Sequence, residues 1–217
     1  MTEPAAGRSS SFGEGGDVTV VDKFGVWLSK RQIERVVGPL VGKDVADIGC
    51  GYDATFMRTV LGEVGTATLT DVSLAPDLVA HPKVRAIEGF LPETMEQVED
   101  ASLDVVLCMS VIEHLWEPDL TLAHFRRVLR PGGVCAVNVP SWRGKRALEY
   151  SAFKLGTSPA DEMDDHKMYY DPRDLWPLMV KAGFMPHAIK CFRHKFGLNT
   201  FAVCTVEDPY DDAGAAR

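Results

Sequence analysis

No apolar run in this sequence is long enough to cross a lipid bilayer, and residues 1–17 lack the apolar core of a secretion signal. Those residues are rich in Gly, Ser and Ala, which predicts a disordered tail over residues 1–20, with a second flexible tail at 209–217. The five cysteines are scattered and form no CxxC pair, so we expect reduced and mostly buried thiols. Together these absences predict a cytoplasmic protein without a membrane span.

The sequence also has fewer basic than acidic residues. The 217 residues include 23 Lys and Arg against 31 Asp and Glu, which gives a formal net charge of −8. That balance disfavours broad electrostatic binding of nucleic acid, so we expect no nucleic-acid partner. The sequence has no internal repeat and no sign of a second domain, and residues 21–208 are expected to fold as one domain.

The sequence does contain an alternation of β-type and helical segments. Apolar or β-branched character predicts strands at residues 44–48, 67–73, 84–89, 103–111 and 134–140. Apolar spacing and end signals predict helices at residues 24–40, 54–61, 119–129 and 172–182, with RPGG at 130–133 as a turn. Two late apolar segments around Gly197 predict a hairpin. This alternation indicates an open α/β sheet.

The most informative stretch is the turn after the first predicted strand. Gly49, Gly51 and Ala54 fit the dinucleotide pattern G-x-G-x-x-A, and Asp71 lies about twenty residues further on, where a ribose-binding acid belongs. In an open α/β sheet, ligands bind beyond the carboxyl ends of the strands, which is where these glycines lie. NAD is therefore the first hypothesis for the ligand.

Asp47 argues against NAD. A carboxylate just before the glycines opposes the negative pyrophosphate of a dinucleotide, which needs the following helix N-terminus. A cationic ligand is favoured instead. S-adenosylmethionine carries a sulfonium and an ammonium and no phosphate, so one acid near its charged end and a second acid, Asp71, on its ribose suit its chemistry. The structural alternative is that Asp47 only caps the next helix and that Asp71 is an ordinary acid at a strand end.

At this point the chain resembles the class I S-adenosylmethionine-dependent methyltransferases. Their signature E/D-x-G-x-G-x-G reads DIGCGYD at residues 47–53, and the similarity continues in order through LTDVS, SLDVVLCMSVIEHL and FRRVLRPGGVCAVNVP. The later segment DHKMYYDPRDLWPLMVKAGF is similar to the ubiquinone-biosynthesis-like, small-molecule branch. The resemblance covers about residues 43–206. It implies a Rossmann-like, mostly parallel seven-stranded sheet with helices on both faces, a C-terminal antiparallel hairpin, and S-adenosylmethionine as the cofactor.

The resemblance also implies roles for residues at the strand ends. In the family's arrangement the methionine part of the cofactor is lined by the signature turn, the ribose by the acid after the second strand, and the floor by the end of the fourth strand. Carried over by position, these residues are Asp47, Gly49 and Gly51 for the methionine, Asp71 for the ribose, Val72 for the adenine, and Met109 and Ser110 for the floor.

Two positions depart from the family pattern. The third signature glycine is Asp53 here, although an Asp can cap a helix or adopt unusual backbone angles. After the third strand the family often has Gly-Asp, with the acid near the adenine amino group, whereas this chain has Gly89 and Phe90. Either Phe90 covers the adenine edge, or Glu88 or Glu93 supplies the acceptor.

The methyl acceptor is expected beside the fourth strand and under residues 140–170. Methyl transfer needs alignment and exclusion of water, and it needs a base only if the acceptor must lose a proton. His114 and His166 are the candidate catalytic bases, and we favour His166, with Tyr169 nearby to orient the substrate. The alternatives are that His114 bonds to backbone at a helix start and that His166 is a surface residue. Substrate-binding aromatic residues are predicted in the covering segment and the first helix: Trp27, Trp142, Tyr150 and Tyr169.

Residues 161–165 hold several acids that could bind a divalent metal, but a solvated acid run is the simpler interpretation, and no metal is predicted. The leading hypothesis is a methyltransferase for a small molecule, acting on oxygen in a metabolite, quinone, lipid or sugar pathway. The alternatives are an RNA or protein methyltransferase and a regulatory protein that binds S-adenosylmethionine without catalysis. The sequence leaves the oligomeric state open.

Overall fold

The computed structural model describes residues 11–13, 31–150 and 166–207, with the backbone alone for residues 147–150. Within these residues seven strands form one sheet in the order β3-β2-β1-β4-β5-β7-β6. Neighbouring strands are parallel except for β7, which runs antiparallel to both β5 and β6. The strands are β1 (Asp44–Ile48), β2 (Thr66–Asp71), β3 (Val84–Glu88), β4 (Leu103–Met109), β5 (Leu129–Pro140), β6 (Ile189–His194) and β7 (Asn199–Thr205). The predicted fold class, including the C-terminal hairpin, is confirmed.

Helices connect the strands. They are α1 at residues 31–37, α2 (Thr55–Val60), α3 (Pro76–Val79), α4 (Glu93–Glu96), α5 (Pro118–Val128), α6 (Trp142–Tyr150) and α7 (Pro172–Lys181). The sequence signals for α7 are confirmed, because Asp171 precedes Pro172 and its backbone N–H donates to the Asp174 carboxylate at 2.9 Å. In the predicted helix at 24–40, residues 31–37 are helical and Gly38 ends them with φ +76°. Residues 24–30 lie outside the described part.

The central strand β4 shows why the sheet is buried on both faces. Val106 and Cys108 point into a core layer that α5 and α7 complete. Val105 and Leu107 point into the opposite layer, with the apolar residues of α1, α2 and α3. All four are fully buried. Successive strand residues face opposite sides, so a continuous apolar run needs a cover on each side.

The structure corrects two expectations. Residues 130–133, predicted as a turn that separates a helix from a strand, lie inside β5, where the register with β4 shifts between Leu103 and Val105. Gly132, at φ +78°, provides the local bend, so the turn residues form a bulge instead of a loop. The sequence predicted no helix within the covering segment at residues 140–170, yet that segment begins with α6.

Two further expectations concern the ends of the chain and the membrane. The predicted tails at residues 1–20 and 209–217 lie, apart from residues 11–13, outside the described residues. Among the described residues, no helix combines the length and the apolar character that spanning a membrane requires.

Candidate cofactor and acceptor site

The turn after β1 holds two glycines in backbone conformations that other residues avoid. Gly49 has φ +67° and Gly51 has φ +76°. A Cβ atom on Gly49 would collide with the Val111 side chain, and one on Gly51 would lie 3.2 Å from the carbonyl oxygen of Phe12. The turn therefore needs glycine at both positions, and it presents backbone instead of side chains at the carboxyl end of β1.

Asp71 ends β2 beside this turn, and its carboxylate is held by the backbone. Oδ2 accepts a hydrogen bond from the Gly51 N–H at 2.7 Å, and Oδ1 accepts one from the Val72 N–H at 2.8 Å. The Ser11 hydroxyl also donates to Oδ1, at 2.5 Å. A carboxylate can accept about four hydrogen bonds. The two backbone bonds thus fix its orientation and leave two acceptor positions facing outward, one of which Ser11 uses.

Asp47, next to last in β1, brings a second carboxyl group to the turn. Its side chain is only 5% exposed, and burial, with the nearby charge of Asp71, raises the pKa of Asp47 to about 7. Burial and the same two carboxylates also raise the pKa of the Cys50 thiol well above its ordinary value. The turn is therefore a place where added negative charge is unfavourable and a cation is favoured.

Asp53 stands where the family signature has its third glycine, and the next residue, Ala54, adopts the left-handed backbone conformation instead. Asp53 has no left-handed backbone, whereas Ala54, the residue before α2, has φ 40° and ψ 52°. The backbone carbonyl of Asp53 accepts from the Arg58 Nε–H at 2.8 Å. The left-handed residue of this turn thus falls one position later than the missing glycine.

After β3 the second departure leaves an aromatic side chain at the strand end. Phe90 is 55% exposed and follows Gly89, whose φ is +144°. Glu88 is already engaged, since its Oε1 accepts from the Leu74 N–H at 2.7 Å. That contact leaves Glu88 further acceptor positions, and Glu93 is exposed, so cover by Phe90 and an acceptor from Glu88 or Glu93 both stay predictions.

The remaining predicted cofactor residues lie at the same edge of the sheet. Val72 follows β2 and Met109 ends β4, and both side chains are half-buried. Ser110 is exposed with φ +59°, and its N–H donates to the Asn138 carbonyl at 2.8 Å. These residues stand at the carboxyl ends of β2 and β4, where an open α/β sheet binds its ligands.

The two candidate bases lie together beyond β4. The His114 and His166 ring centroids are 4.7 Å apart. The Tyr169 hydroxyl lies 3.0 Å from Nδ1 of His166, and the Tyr169 ring centroid is 5.8 Å from that of Trp142. Residues from the end of β4, from the start of α6 and from the segment before α7 thus form one aromatic cluster.

Backbone contacts hold the segment before α7 against the end of β4. The Glu113 carbonyl accepts from the N–H groups of Lys167 and Met168, at 2.7 and 3.2 Å. The Tyr170 N–H donates to the Pro140 carbonyl at 3.0 Å. These bonds place His166 opposite His114 although the two residues are distant in sequence.

Glu113 is a polar residue of this cluster that the sequence analysis missed. Its side chain is 1% exposed, and neither carboxylate oxygen has a hydrogen-bond partner among the described residues. Burial raises the pKa of Glu113 to about 8. One ligand atom each from Glu113, His114 and His166 lie within 4.8 Å of one another, a donor set that could hold a divalent metal. The sequence did contain one sign of Glu113's place in the site, because it is an acid directly before His114 in an otherwise apolar stretch.

Ser11 was also missed, because no pattern links it to Asp71, 60 positions away. Trp27 and the acids at 161–165 lie outside the described residues, as does the side chain of Tyr150. Their predicted roles stay predictions.

Comparison with known proteins gives the family. The family described as "Methyltransferase domain" matches residues 46–137. A ubiquinone biosynthesis O-methyltransferase of Idiomarina loihiensis is 31% identical over 171 residues, 72% of this chain and 68% of that protein. A Mycolicibacterium smegmatis protein named a probable S-adenosylmethionine-dependent methyltransferase is 34% identical over 119 residues, 53% of this chain and 46% of its own length. The chain thus spans about half the length of the first relatives it matches.

Solved structures share the fold at low identity. A S-adenosylmethionine-dependent methyltransferase from Archaeoglobus fulgidus superposes with a TM-score of 0.60 at 15% identity, covering 83% of this chain and 94% of that one. The [4+2]-cyclase SpnF superposes with a TM-score of 0.62 at 15% identity, covering 94% and 88%. The chain belongs to the class I S-adenosylmethionine-dependent methyltransferases. This membership makes S-adenosylmethionine its cofactor.

The donor set at the turn fits that cofactor. Beyond its two backbone bonds, Asp71 has two acceptor positions that suit a ribose diol, one of which Ser11 occupies in this structure. Asp47 is a buried acid that a nearby cation would ionise. The turn at Gly49 and Gly51 adds backbone groups without side chains. A pyrophosphate would meet two carboxyl groups at the same place, so the NAD hypothesis does not fit.

Proposed function

We propose that this chain transfers a methyl group from S-adenosylmethionine to a hydroxyl oxygen of a small molecule. The observation that carries the proposal is the pair of acids at adjacent strand ends, a backbone-oriented Asp71 and a buried Asp47, on either side of a glycine turn. When bound, the cofactor supplies an activated methyl group on its sulfonium. The name of the Idiomarina loihiensis relative supports oxygen as the acceptor atom.

The chain's own residues would bind and orient the cofactor. Asp71 would accept hydrogen bonds from the ribose, Asp47 would balance the positive charge of the methionine part, and Gly49 and Gly51 would allow its close approach. Val72 and Phe90 would pack on the adenine. These assignments follow the family positions and the contacts at the strand ends.

The acceptor would lie against the aromatic cluster beyond β4. Trp142 and Tyr169 offer apolar rings that exclude water, and the Lys145 Nζ lies 5.7 Å from the centroid of each ring. His166 would accept the hydroxyl proton as general base, with the Tyr169 hydroxyl orienting its ring. The neighbouring ring of His114 would hold the acceptor oxygen in place.

A transfer assay on extract fractions tests the substrate class. Protein is incubated with S-adenosylmethionine labelled in its methyl group and with small-molecule, protein or RNA fractions of a cell extract. The proposal predicts label in the small-molecule fraction, in a base-stable ether linkage. Label in the protein or RNA fraction instead would contradict it.

Cofactor affinity should depend on pH through Asp47. Its pKa of about 7 means that the carboxyl group is largely protonated near pH 6, and a bound cation favours the ionised form, which requires release of a proton. Affinity should therefore rise by up to about tenfold per pH unit below pH 7 and then level off. Calorimetry in two buffers of different ionisation enthalpy measures the released proton.

Asp47→Asn is the control for this effect. Asp71 and Cys50 face the same turn and remain in the variant, so a loss of the pH dependence would be due to Asp47. An affinity that still rises with pH in Asp47→Asn would assign the proton to another group and contradict the role of Asp47.

A further inference from the structure

Residues 11–13, which we name the N-terminal strap, lie across the glycine turn. Ser11 is only 5% exposed, and its Oγ accepts a hydrogen bond from the Ser73 N–H at 2.7 Å. Its single proton has two acceptors within reach, Oδ1 of Asp71 at 2.5 Å and the Ser73 carbonyl oxygen at 2.7 Å. The carboxylate is the nearer of the two and carries the charge, so it is the favoured acceptor. The carbonyl of Phe12 accepts from the Tyr52 N–H at 2.9 Å. The strap is thus hydrogen-bonded to the turn after β1 and to the end of β2, on either side of the cofactor position.

The contact with Asp71 uses an acceptor position that the cofactor needs. The N–H groups of Gly51 and Val72 take one position on each carboxylate oxygen, and the two positions that remain match the two hydroxyls of a ribose. Ser11 takes the remaining position on Oδ1. A ribose diol and the Ser11 hydroxyl therefore cannot both be fully bonded to Asp71.

We propose that the N-terminal strap is an intramolecular competitor of the cofactor, in which the Ser11 hydroxyl imitates one ribose hydroxyl. This rests on the proposed binding of S-adenosylmethionine at Asp71. The Phe12 carbonyl lies 3.2 Å from the place of a Cβ on Gly51, so the strap backbone also covers the turn that the methionine part must approach. Cofactor entry requires the strap to leave.

With competition of this kind, the apparent affinity for the cofactor equals the intrinsic affinity multiplied by the fraction of molecules whose strap is open. It makes cofactor affinity depend on the N-terminal segment, although that segment lies outside the matched domain at residues 46–137. Any interaction that removes the N-terminal strap from the glycine turn would then increase the affinity for the cofactor without altering the residues that bind it.

Calorimetric titration with S-adenosylhomocysteine, the demethylated product, tests the proposal. Ser11→Ala removes the competing hydroxyl and should tighten binding by about tenfold, the range of one hydrogen bond to a charged group. Deletion of residues 1–13 should tighten it at least as much. The control is Ser102→Ala, which removes a hydroxyl bonded to the Glu99 carbonyl at a distant site and should change nothing. Equal affinity of the parent and Ser11→Ala, or weaker binding in Ser11→Ala, would overturn the proposal.

A double-mutant cycle separates this proposal from the proposed function. In an Asp71→Ala background, Ser11→Ala should no longer tighten binding, because the contested carboxylate is absent. If the parent and every variant fail to bind the product, the proposed function fails. If all bind but Ser11→Ala has no effect in the parent, only the strap proposal fails.

Limited proteolysis gives a readout independent of affinity. Arg8 is a trypsin site three positions before Ser11. Displacement of the strap by S-adenosylhomocysteine should accelerate cleavage after Arg8, and Ser11→Ala should show the faster rate without ligand. Slower cleavage with ligand would mean that the strap closes over the cofactor, which is the opposite of competition.

Discussion

His166→Ala should lower the turnover of methyl transfer by about 10²–10⁴-fold while S-adenosylmethionine binding stays intact. The proton of a hydroxyl acceptor must leave near the moment of transfer, and histidine is the side chain that ordinarily titrates near neutral pH. His166 lies beside His114, with its Nδ1 3.0 Å from the Tyr169 hydroxyl, at the edge of the sheet where the acceptor is proposed to bind. The loss should shrink for an acceptor that is already ionised.

The matched control is His187→Ala, a histidine that is 68% exposed and lies in the turn before β6. It should keep full turnover. Retained activity in His166→Ala together with loss in His114→Ala would move the base to the strand end. Retained activity in both variants would mean that alignment alone drives the reaction, or that the acceptor needs no base.

The same assay separates a base from a metal at this cluster. The nearby carboxylate of Glu113 completes a set of three possible ligands, so turnover is also measured after dialysis against a chelator. The base account predicts unchanged turnover. A loss that Zn²⁺ restores would contradict it and would assign the two imidazoles to a metal instead.

Asp71→Ala should weaken cofactor binding by about 1.5–3 kcal/mol, because the ribose loses a charged acceptor. The corresponding change in the dissociation constant is about 10–150-fold. The bonds from the N–H groups of Gly51 and Val72 are lost at the same time, so the turn also loses the group that orders it. Calorimetric titration of the parent and the variant measures the change directly.

Two variants control for damage to the turn. Asp77→Ala removes an exposed acid of α3 that pairs with Arg58 of α2, and it should leave the affinity for the cofactor unchanged. Asp71→Asn keeps an oxygen acceptor without the charge and should show an intermediate loss. Unchanged affinity in Asp71→Ala, with the thermal unfolding temperature preserved, would show that the ribose is held elsewhere.

The strands of the sheet could be predicted from the sequence because they are buried on both faces. After Asp104, β4 is continuously apolar from Val105 to Met109, without the alternating polar residues of a surface strand, and Val105 to Cys108 are fully buried. The acids and glycines at the strand ends could also be located in the sequence, because they stand at the end of apolar runs or immediately after them. The bulge at Gly132 could not be predicted, because Pro and Gly indicate a turn whether or not pairing resumes in the same strand.

The residues that were missed act through contacts that no local pattern encodes. Ser11 contacts Asp71 from 60 positions away, and this contact depends on how the chain passes over the turn. Glu113 is next to a predicted base in the sequence. What makes it notable is that its carboxylate is buried without a hydrogen-bond partner among the described residues, which only the structure shows. His114 and His166 were each predicted from the sequence as candidate bases, but their closeness depends on backbone hydrogen bonds to the Glu113 carbonyl.

The fold alone does not establish the reaction, since one of the similar structures is named a cyclase. The central claim is that the acids Asp47 and Asp71 select a cationic, phosphate-free nucleoside. Parallel calorimetric titrations with S-adenosylmethionine and with NAD test it most directly. The account predicts binding of S-adenosylmethionine at about micromolar levels, with a rise in the thermal unfolding temperature, and no binding of NAD. Tight binding of NAD, with no response to S-adenosylmethionine, would contradict it.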